Sequence, residues 1–247
     1  MDRATRLTAA SAKSEAMPAL RATIGSSLQQ LRLPLERADV AEPPVVSACN
    51  AEASAVLERW PDGISSILAL HGPAGGGKSR LAEAWAERIG ALPLHGGEAA
   101  LIDPQEIEGL PLLLDRAEDA DDESLFHLIN LTQSGGGALL MVSRLPPNAW
   151  SCALPDLRSR LDAIRTVAVE APDDVVMAAI LRARFAERSI APSDEVIDYL
   201  VRRLDRSADT AARAVERLDA LHRPVTRVLA REVLDALAQE QDPQSGA

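Results

Sequence analysis

Short apolar runs alternate with amphipathic segments between residues 41 and 171. Four runs are typical of strands: "ISSILALH" at 64–71, "AALID" at 99–103, "PLLLD" at 111–115 and "GALLMVS" at 137–143. Near-continuous apolar runs of this length predict strands buried on both faces. Three further segments have helical spacing: "NAEASAVLERW" at 50–60, the stretch from Leu81 to Gly90, and "DDESLFHLINLTQ" at 121–133. The alternation predicts an α/β domain with a parallel sheet and right-handed crossovers.

From residue 172 onward the apolar spacing is helical throughout. Its four groups are Val176/Ile180/Leu181, Val196/Leu200/Leu204, the segment 209–221, and Leu229/Val233/Leu237. Short loops between helices of this length are typical of a small all-α domain. We therefore predict a helical domain at 172–240, after an α/β domain at 41–171, with a disordered tail at 241–247.

The first 40 residues show no sustained period and predict a flexible N-terminal tail in which either Met1 or Met17 is the start. Within it, "QLRLPL" at 30–35 places Leu31, Leu33 and Leu35 on alternate positions, and Pro34 excludes a helix. Two interpretations remain open. The segment lies along the domain as an edge strand, or it docks as a linear motif into a partner's groove.

Composition narrows the class of protein. Of 247 residues, 47% are hydrophobic and only 2% aromatic, so an aliphatic core is expected. A net charge of −11 argues against a surface built for nucleic-acid phosphates. The isolated Cys49 and Cys152 and four scattered histidines predict reduced thiols, a cytoplasmic location and no metal beyond Mg²⁺. No run approaches the ~20 apolar residues of a membrane span.

The stretch "HGPAGGGKSR" carries the clearest chemistry. Its spacing Gly72-x₄-Gly77-Lys78-Ser79 is that of a phosphate-binding loop, with a predicted strand before it and a predicted helix after it. Glycines let backbone N–H groups converge on phosphates at a helix N-terminus. Lys78 is then expected on the β/γ-phosphates and the Ser79 hydroxyl on Mg²⁺. The alternative is a chance match in a glycine-rich turn.

A magnesium site of this kind needs an acid at the end of a neighbouring strand. Asp103 and Asp115 compete, and Asp115 is favoured because a helix and the strand ending at Ser143 follow it. The next residue is Arg116, which cannot accept a proton. Glu118 and Asp119 are close enough in sequence to substitute, although the run "EDADDE" is more typical of a solvated loop. Weak intrinsic turnover is therefore expected.

Other polar residues are expected at the ends of predicted elements. Ser143 either contacts the γ-phosphate or simply satisfies the end of its strand. In "LPDLRSRL", Arg158 and Arg160 belong to a short element between the sheet and the helical domain. An arginine presented there can complete another subunit's nucleotide site and neutralise transition-state charge, or it can make a surface salt bridge.

Taken in order, these segments resemble AAA+ proteins of the DnaA family, most closely its short Hda (HdaA) group. The resemblance covers about residues 29–238. Its elements are "QLRLPL", "VVSACNAEASAVLERWP", "GPAGGGKS", "LLLD", "LFHLIN", "LLMVSRLPP", "LPDLRSRL" and the helical lid.

Roles follow from the resemblance residue by residue. It implies a Walker A loop (Gly72, Gly75, Gly76, Gly77, Lys78, Ser79), the Walker B acid Asp115, sensor 1 at Ser143, an arginine finger at Arg160, adenine-side residues Val45 and Val46, and a sliding-clamp motif (Gln30, Leu31, Leu33, Leu35).

The chain departs from the family pattern at two sites. Arg116 replaces the second Walker B acid, which puts self-hydrolysis in doubt. The sensor 2 arginine is absent from the natural alignment near Thr210, and Arg213 lies one turn on. The resemblance also ends after the lid, so no helix-turn-helix and no direct sequence-specific DNA binding are expected.

Three functions are compatible with these residues. In the first, the protein binds ADP or ATP with Mg²⁺, attaches to the sliding clamp and promotes hydrolysis on DnaA through Arg160. In the second it is a nucleotide-gated adaptor between clamp and partner, with no effect on hydrolysis. The third is a P-loop kinase of small metabolites. Nucleotide-dependent homo-oligomers are compatible with the first two, and no membrane partner is expected.

Overall fold

Five parallel strands form one sheet in the computed structural model, which describes residues 43–241. The strands are β1 (Ile67–His71), β2 (Leu92–His95), β3 (Pro111–Asp115), β4 (Ala138–Ser143) and β5 (Arg165–Ala168). Their order across the sheet is β2-β3-β4-β1-β5. The parallel α/β architecture predicted from the apolar runs is confirmed. The predicted tail at 1–40, with the motif at 30–35, and the segment 242–247 lie outside the described residues.

Helices follow the strands and then continue as a helical C-terminal region. They are α1 (Ala51–Arg59), α2 (Lys78–Ile89), α3 (Pro104–Ile107), α4 (Asp122–Gly135), α5 (Pro155–Ala163), α6 (Asp174–Ala186), α7 (Asp194–Val201), α8 (Ala208–Ala220) and α9 (Arg227–Gln241). Side chains at their N-termini accept backbone N–H groups, as Asp121 does for α4 and Asp173 for α6. Short 3₁₀ segments at 96–101, 117–119 and 147–149 fill three of the connections.

The sheet is buried on both faces, which explains the unbroken apolar character of its inner strands. In β1, Leu68 and Leu70 pack in the cluster that includes α1 and α2. Ile67 and Ala69 pack in the opposite cluster with α4 and α5. All four are buried to within 3% of full enclosure. β1, which leads into the loop that follows it, therefore lies between two layers of helices.

Two of the few aromatic residues fix α1 against α2. The rings of Trp60 and Trp85 stack with centroids 5.0 Å apart. Each indole N–H donates to a backbone carbonyl: the Trp60 indole to that of Ser65 at 2.9 Å, and the Trp85 indole to that of Trp60 at 3.1 Å. Stacked, hydrogen-bonded tryptophans add specificity beyond the area they bury. They set the position of α1 and of the segment that leads into it.

The four helices predicted after residue 172 are confirmed as α6 to α9. Their facing residues form one apolar cluster that includes Phe185, Leu200, Val215 and Leu218, all fully enclosed. The apolar spacing read from the sequence is that of this cluster. Leu204 belongs to it although α7 ends at Val201.

The strand predicted at 99–103 was wrong. Those residues end a 3₁₀ helix at Leu101 and enter a cap, and the outer strand is β2. Because Pro93 interrupts "LPLH", the segment did not have the pattern of a strand, yet β2 lies at the sheet edge, where a missing N–H costs little.

The predictions also missed β5 and set the start of β1 too early. In β5 only Val167 is buried, so the segment lacks an apolar pattern. Ile64, which was included in the first predicted strand, is 84% exposed, and β1 begins at Ile67.

Candidate nucleotide-binding site

A glycine-rich loop connects β1 to α2, as the spacing predicted. Gly77 has a φ of 86° and immediately precedes Lys78, the first residue of α2. Gly75 has a φ of 70°, in the left-handed region that glycine adopts without strain. Its carbonyl accepts the N–H of Ala208, at 3.2 Å, from the first turn of α8. The loop is therefore in direct contact with the helical C-terminal region.

Lys78 is the buried cation of this loop. Only 8% of the residue is exposed, and its Nζ donates to the Pro73 carbonyl at 2.7 Å. Burial lowers the pKa of Lys78, and the carboxylates of Glu118 and then Asp115 act against that fall. Ser79, the next residue, is exposed at the start of α2.

Asp115 ends β3 at the same sheet edge. Since β3, β4 and β1 are parallel neighbours, Asp115, Ser143 and His71 end their strands together beside the loop. Asp103 is not on a strand at all; it caps α3, accepting the N–H of Gln105 at 2.9 Å. Asp115 was preferred over Asp103 because a helix and the strand ending at Ser143 follow it, and it does end the inner strand β3; its role as the Mg²⁺ acid stays a prediction.

Arg116 turns away from this edge. Its φ is 50°, and its guanidinium pairs with the exposed carboxylate of Asp119 at 2.8 Å. The following 3₁₀ turn brings Glu118 back, and its Oε1 accepts the N–H of Arg144 at 3.0 Å. The "EDADDE" run was expected to be a solvated loop, yet Oε2 of Glu118 is enclosed. Sequence reasoning named Glu118 and Asp119 together as possible substitutes and had no signal that separated the two.

Ser143 is 3% exposed and donates its hydroxyl hydrogen to the Leu145 carbonyl at 2.7 Å. The indole of Trp150 donates to the same carbonyl at 2.8 Å. This geometry satisfies the end of β4 and fixes the turn after it, while the serine oxygen keeps lone pairs free to accept. The sensor role of Ser143 stays a prediction.

Arg158 and Arg160 both lie on α5 but differ in their surroundings. Arg158 donates to the carbonyls of Asn148 and Trp150, so it fastens the 3₁₀ segment before α5. Arg160 donates to Gln133 Oε1 and lies over the Phe126 ring, 5.1 Å from its centroid. Arg158 is therefore a structural residue, and Arg160 is a guanidinium presented on the outer face of α4.

A cleft of about 470 Å³ lies between the segment before α1 and the start of α6. Its lining includes Cys49, Glu170, Asp173 and Arg206. The Ser47 hydroxyl donates to Asp173, which caps α6, so one hydrogen bond joins the two sides. That bond and the capping N–H of α6 lower the pKa of Asp173.

The predicted adenine-side residues are on the segment before α1. Val45 and Val46 are 42% and 50% exposed. The buried Asn50 shapes this segment, because its amide donates to the Val45 carbonyl and accepts the Ser47 N–H, both at 2.9 Å. The hydrogen bonds of Asn50 therefore fix the segment on which the side chains of Val45 and Val46 are exposed to solvent.

Arg213 is exposed on α8, and the residues of that helix that touch the loop are instead at its start. Five residues farther along an α-helix is about 7.5 Å along its axis. Arg206, which the sequence reasoning missed, precedes α8 and lines the cleft, pairing with Asp174 at 2.7 Å. Arg213 as sensor 2 stays a prediction.

The donor set suits Mg²⁺. Among residues 43–241 no three His, Cys, Asp or Glu side chains converge on a metal position. A hydroxyl at Ser79 and a carboxylate at Asp115 are hard oxygen ligands, and Mg²⁺ is commonly held by one or two such groups together with phosphate oxygens.

Among residues 43–241, no helix has the length and apolarity needed to span a membrane.

No protein-family model matches the chain. Over 87 residues, or 35% of its length, it is 36% identical to the chromosomal replication initiator protein DnaA of Chloroflexus aggregans. The matched stretch is 18% of that DnaA, so the chain matches less than a fifth of this curated relative.

Two solved DnaA structures share the fold. Domain III of Thermotoga maritima DnaA is similar with a TM-score of 0.64 and 19% identity, over 78% of this chain and 93% of that domain. AMPPCP-bound DnaA from Aquifex aeolicus is similar with a TM-score of 0.55 and 19% identity, over 71% and 63% of the two chains. The described part of the chain therefore has the fold of DnaA domain III, with a helical C-terminal region.

Proposed function

We propose that this chain, whose core is a DnaA-like AAA+ domain, is a nucleotide-binding regulator of chromosome replication initiation of the Hda kind. It binds ADP or ATP with Mg²⁺, attaches to the sliding clamp through Gln30–Leu35, and docks on ATP-bound DnaA. Arg160 then enters the nucleotide site of DnaA and promotes hydrolysis there. The observation that carries this proposal is the presentation of Arg160.

Arg160 has the properties that an arginine finger needs. Its guanidinium is held by Phe126 and Gln133 rather than by a carboxylate, so its charge is not neutralised by those contacts. It lies on α5, a helix whose Leu157 and Leu161 pack against one face of the sheet. Such a finger, supplied by a partner, raises hydrolysis by about 10³ to 10⁵-fold.

The chain's own nucleotide is proposed as a bound ligand that is turned over slowly. Lys78 and the Gly72–Gly77 loop supply the phosphate contacts, and Ser79 with Asp115 holds Mg²⁺. The exposed Val45 and Val46 support a place for the base beside the cleft, where a nucleobase would cover them. The Arg116–Asp119 pair supports slow turnover, because residue 116 brings no carboxylate to the sheet edge.

The experiment is a single-turnover assay on the partner. DnaA loaded with labelled ATP is mixed with the chain, with and without sliding clamp on DNA, and ADP formation is followed. We expect clamp-dependent acceleration that is lost in Arg160→Ala and in Leu33→Ala. Arg231→Ala is the matched control, since the side chain of that arginine is 74% exposed in the second turn of α9.

A second candidate is an adaptor that bridges clamp and partner without stimulating hydrolysis. Arg116 favours it, because a chain that holds its nucleotide without turning it over can use it as a structural ligand. If neither the unchanged chain nor Arg160→Ala accelerates DnaA hydrolysis, the adaptor replaces the regulator; if both accelerate it equally, Arg160 is not the finger. Thermal unfolding of each variant shows that the comparison is made on folded protein.

A further inference from the structure

Arg116 stands where the family pattern has a second acid directly after Asp115. The next carboxylate along the chain belongs to Glu118, three residues after Asp115. The backbone turns left-handed at Arg116, and the chain then makes one 3₁₀ turn at 117–119 around the fully enclosed Ala117. This turn directs residue 118 back over the end of the sheet, while Arg116 and Asp119 pair with each other outside it. Position 118, not 116, is therefore the side chain that faces the site.

The Glu118 carboxylate spans two neighbouring strand ends. Its own turn follows β3, and its Oε1 accepts the N–H of Arg144, the first residue after β4, at 3.0 Å. Its Oε2 is enclosed and has no hydrogen-bond partner among residues 43–241. An enclosed carboxylate oxygen left unpaired destabilises the fold, so an unpaired group of this kind calls for a functional explanation.

The same carboxylate acts on the lysine of the phosphate loop. Of the acids that favour the charged form of Lys78, Glu118 has the larger effect and Asp115 the smaller. β4 lies between β3 and β1, so a group reaching from β3 over the end of β4 approaches the loop that follows β1. Glu118 therefore extends from the end of β3 over the end of β4, toward the strand whose loop bears Lys78.

We propose that Glu118 is the second acid of this nucleotide site and gives the chain a slow ATPase activity of its own. Its Oε1 stays on the Arg144 N–H, which fixes the carboxylate, and its Oε2, enclosed in the nucleotide-free chain, becomes accessible when ATP binds and orients a water molecule toward the γ-phosphorus. The water oxygen bonds to that phosphorus while the bond to the bridging oxygen breaks, and the electron pair leaves with ADP. The proton released by the water passes to the carboxylate and then to solvent, so the products are ADP and inorganic phosphate.

This inference rests on ATP binding by the loop, as in the proposed function, but not on DnaA, the clamp or Arg160. It is tested on the full chain alone, by equilibrium binding of ATP and ADP and by single-turnover release of labelled phosphate. Glu118→Gln keeps an oxygen that accepts the Arg144 N–H and removes the charge. Asp119→Asn is the matched control, a neighbouring acid of the same run that pairs outward with Arg116.

We expect Glu118→Gln to bind ATP within about threefold of the unchanged chain and to hydrolyse it at least 10²-fold more slowly, the effect typical of losing a general base. Asp119→Asn should match the unchanged chain in both measurements. Equal hydrolysis by Glu118→Gln, or no hydrolysis by an unchanged chain that binds ATP, would overturn the inference and leave the proposed function intact.

A structural role for Glu118 would look different. If Glu118→Gln lowered the unfolding temperature and weakened ADP and ATP binding equally, the carboxylate would be a clamp on the turn after β4, and the inference would be wrong. Failure of the unchanged chain to bind either nucleotide would instead contradict the nucleotide-binding part of the proposed function.

Discussion

The contact between the phosphate loop and α8 can be tested with two glycines that differ in one respect. Gly75 and Gly77 both have left-handed backbones, with φ of 70° and 86°. A Cβ on Gly77 would have nothing within 4 Å, whereas one on Gly75 would lie 2.6 Å from the Ala208 nitrogen and 2.7 Å from the Ser207 hydroxyl. Gly77→Ala thus isolates the backbone strain, and Gly75→Ala adds a collision with the start of α8.

The magnitudes follow from these distances. An L-residue in the left-handed region costs about 1–2 kcal/mol, and we expect this loss of unfolding free energy in both variants. In Gly75→Ala the helix must also move, which gives up the 3.2 Å hydrogen bond from Ala208, worth about 0.5–1.5 kcal/mol, or accepts an overpacking cost of about 1–3 kcal/mol. Gly75→Ala should therefore be about 0.5–3 kcal/mol less stable than Gly77→Ala.

Urea unfolding without nucleotide measures the two free energies, and hydrogen exchange at the Ala208 amide reports the contact itself. Faster exchange at Ala208 is expected in Gly75→Ala and unchanged exchange in Gly77→Ala. Equal free energies with equal exchange would refute the reasoning, because they would mean that α8 does not rest on Gly75.

Two further predictions concern polar contacts around the site. Arg158→Ala should lower the unfolding free energy by about 1.5–3 kcal/mol, because backbone carbonyls lose a charged donor. Arg160→Ala should lower it by only about 1 kcal/mol, because it loses one half-buried ring contact. Urea unfolding of both variants compares the two losses, and a larger loss for Arg160→Ala would contradict the assignment. Asp173→Asn should be less stable than the unchanged chain at pH 7, because the Ser47 hydroxyl holds the pKa of Asp173 below its ordinary 3.8. A carboxyl group whose pKa is lowered by folding stabilises the fold above its ordinary pKa, and this stabilisation is lost as the pH falls through the lowered value. The difference in unfolding free energy between Asp173→Asn and the unchanged chain should therefore vanish in acid. A difference that stays constant from pH 7 to 3 would contradict this prediction.

The phosphate loop was predictable from sequence because its parts are contiguous. A strand, four spaced glycines with a lysine, and an amphipathic helix follow one another, and each part depends on residues close in the chain. The inner strands were predictable for a related reason: burial on both faces leaves an apolar run that no other role explains. The helical region could be predicted because one apolar stripe per helix meets a single cluster.

Edge strands and the acid at 118 depend on residues that are far apart in the chain. β2 contains Pro93 and β5 buries only Val167, so neither differs from a loop until its neighbour is known. Glu118 belongs to a run of acids that are alike in sequence. Glu118 is distinguished by the left-handed backbone at Arg116 and by its hydrogen bond from the N–H of Arg144, twenty-six residues away. Neither feature can be predicted from the residues next to Glu118.

The position of α4 has a thermodynamic consequence. This one helix follows the turn that bears Glu118 and also carries Phe126 and Gln133, two turns apart on one face, which hold Arg160. Ligand binding at the two sites can therefore be coupled through a single element, and coupling free energies are reciprocal. A partner that engages Arg160 tenfold more tightly when the loop holds ATP rather than ADP must itself shift the chain's preference toward ATP tenfold, or about 1.4 kcal/mol.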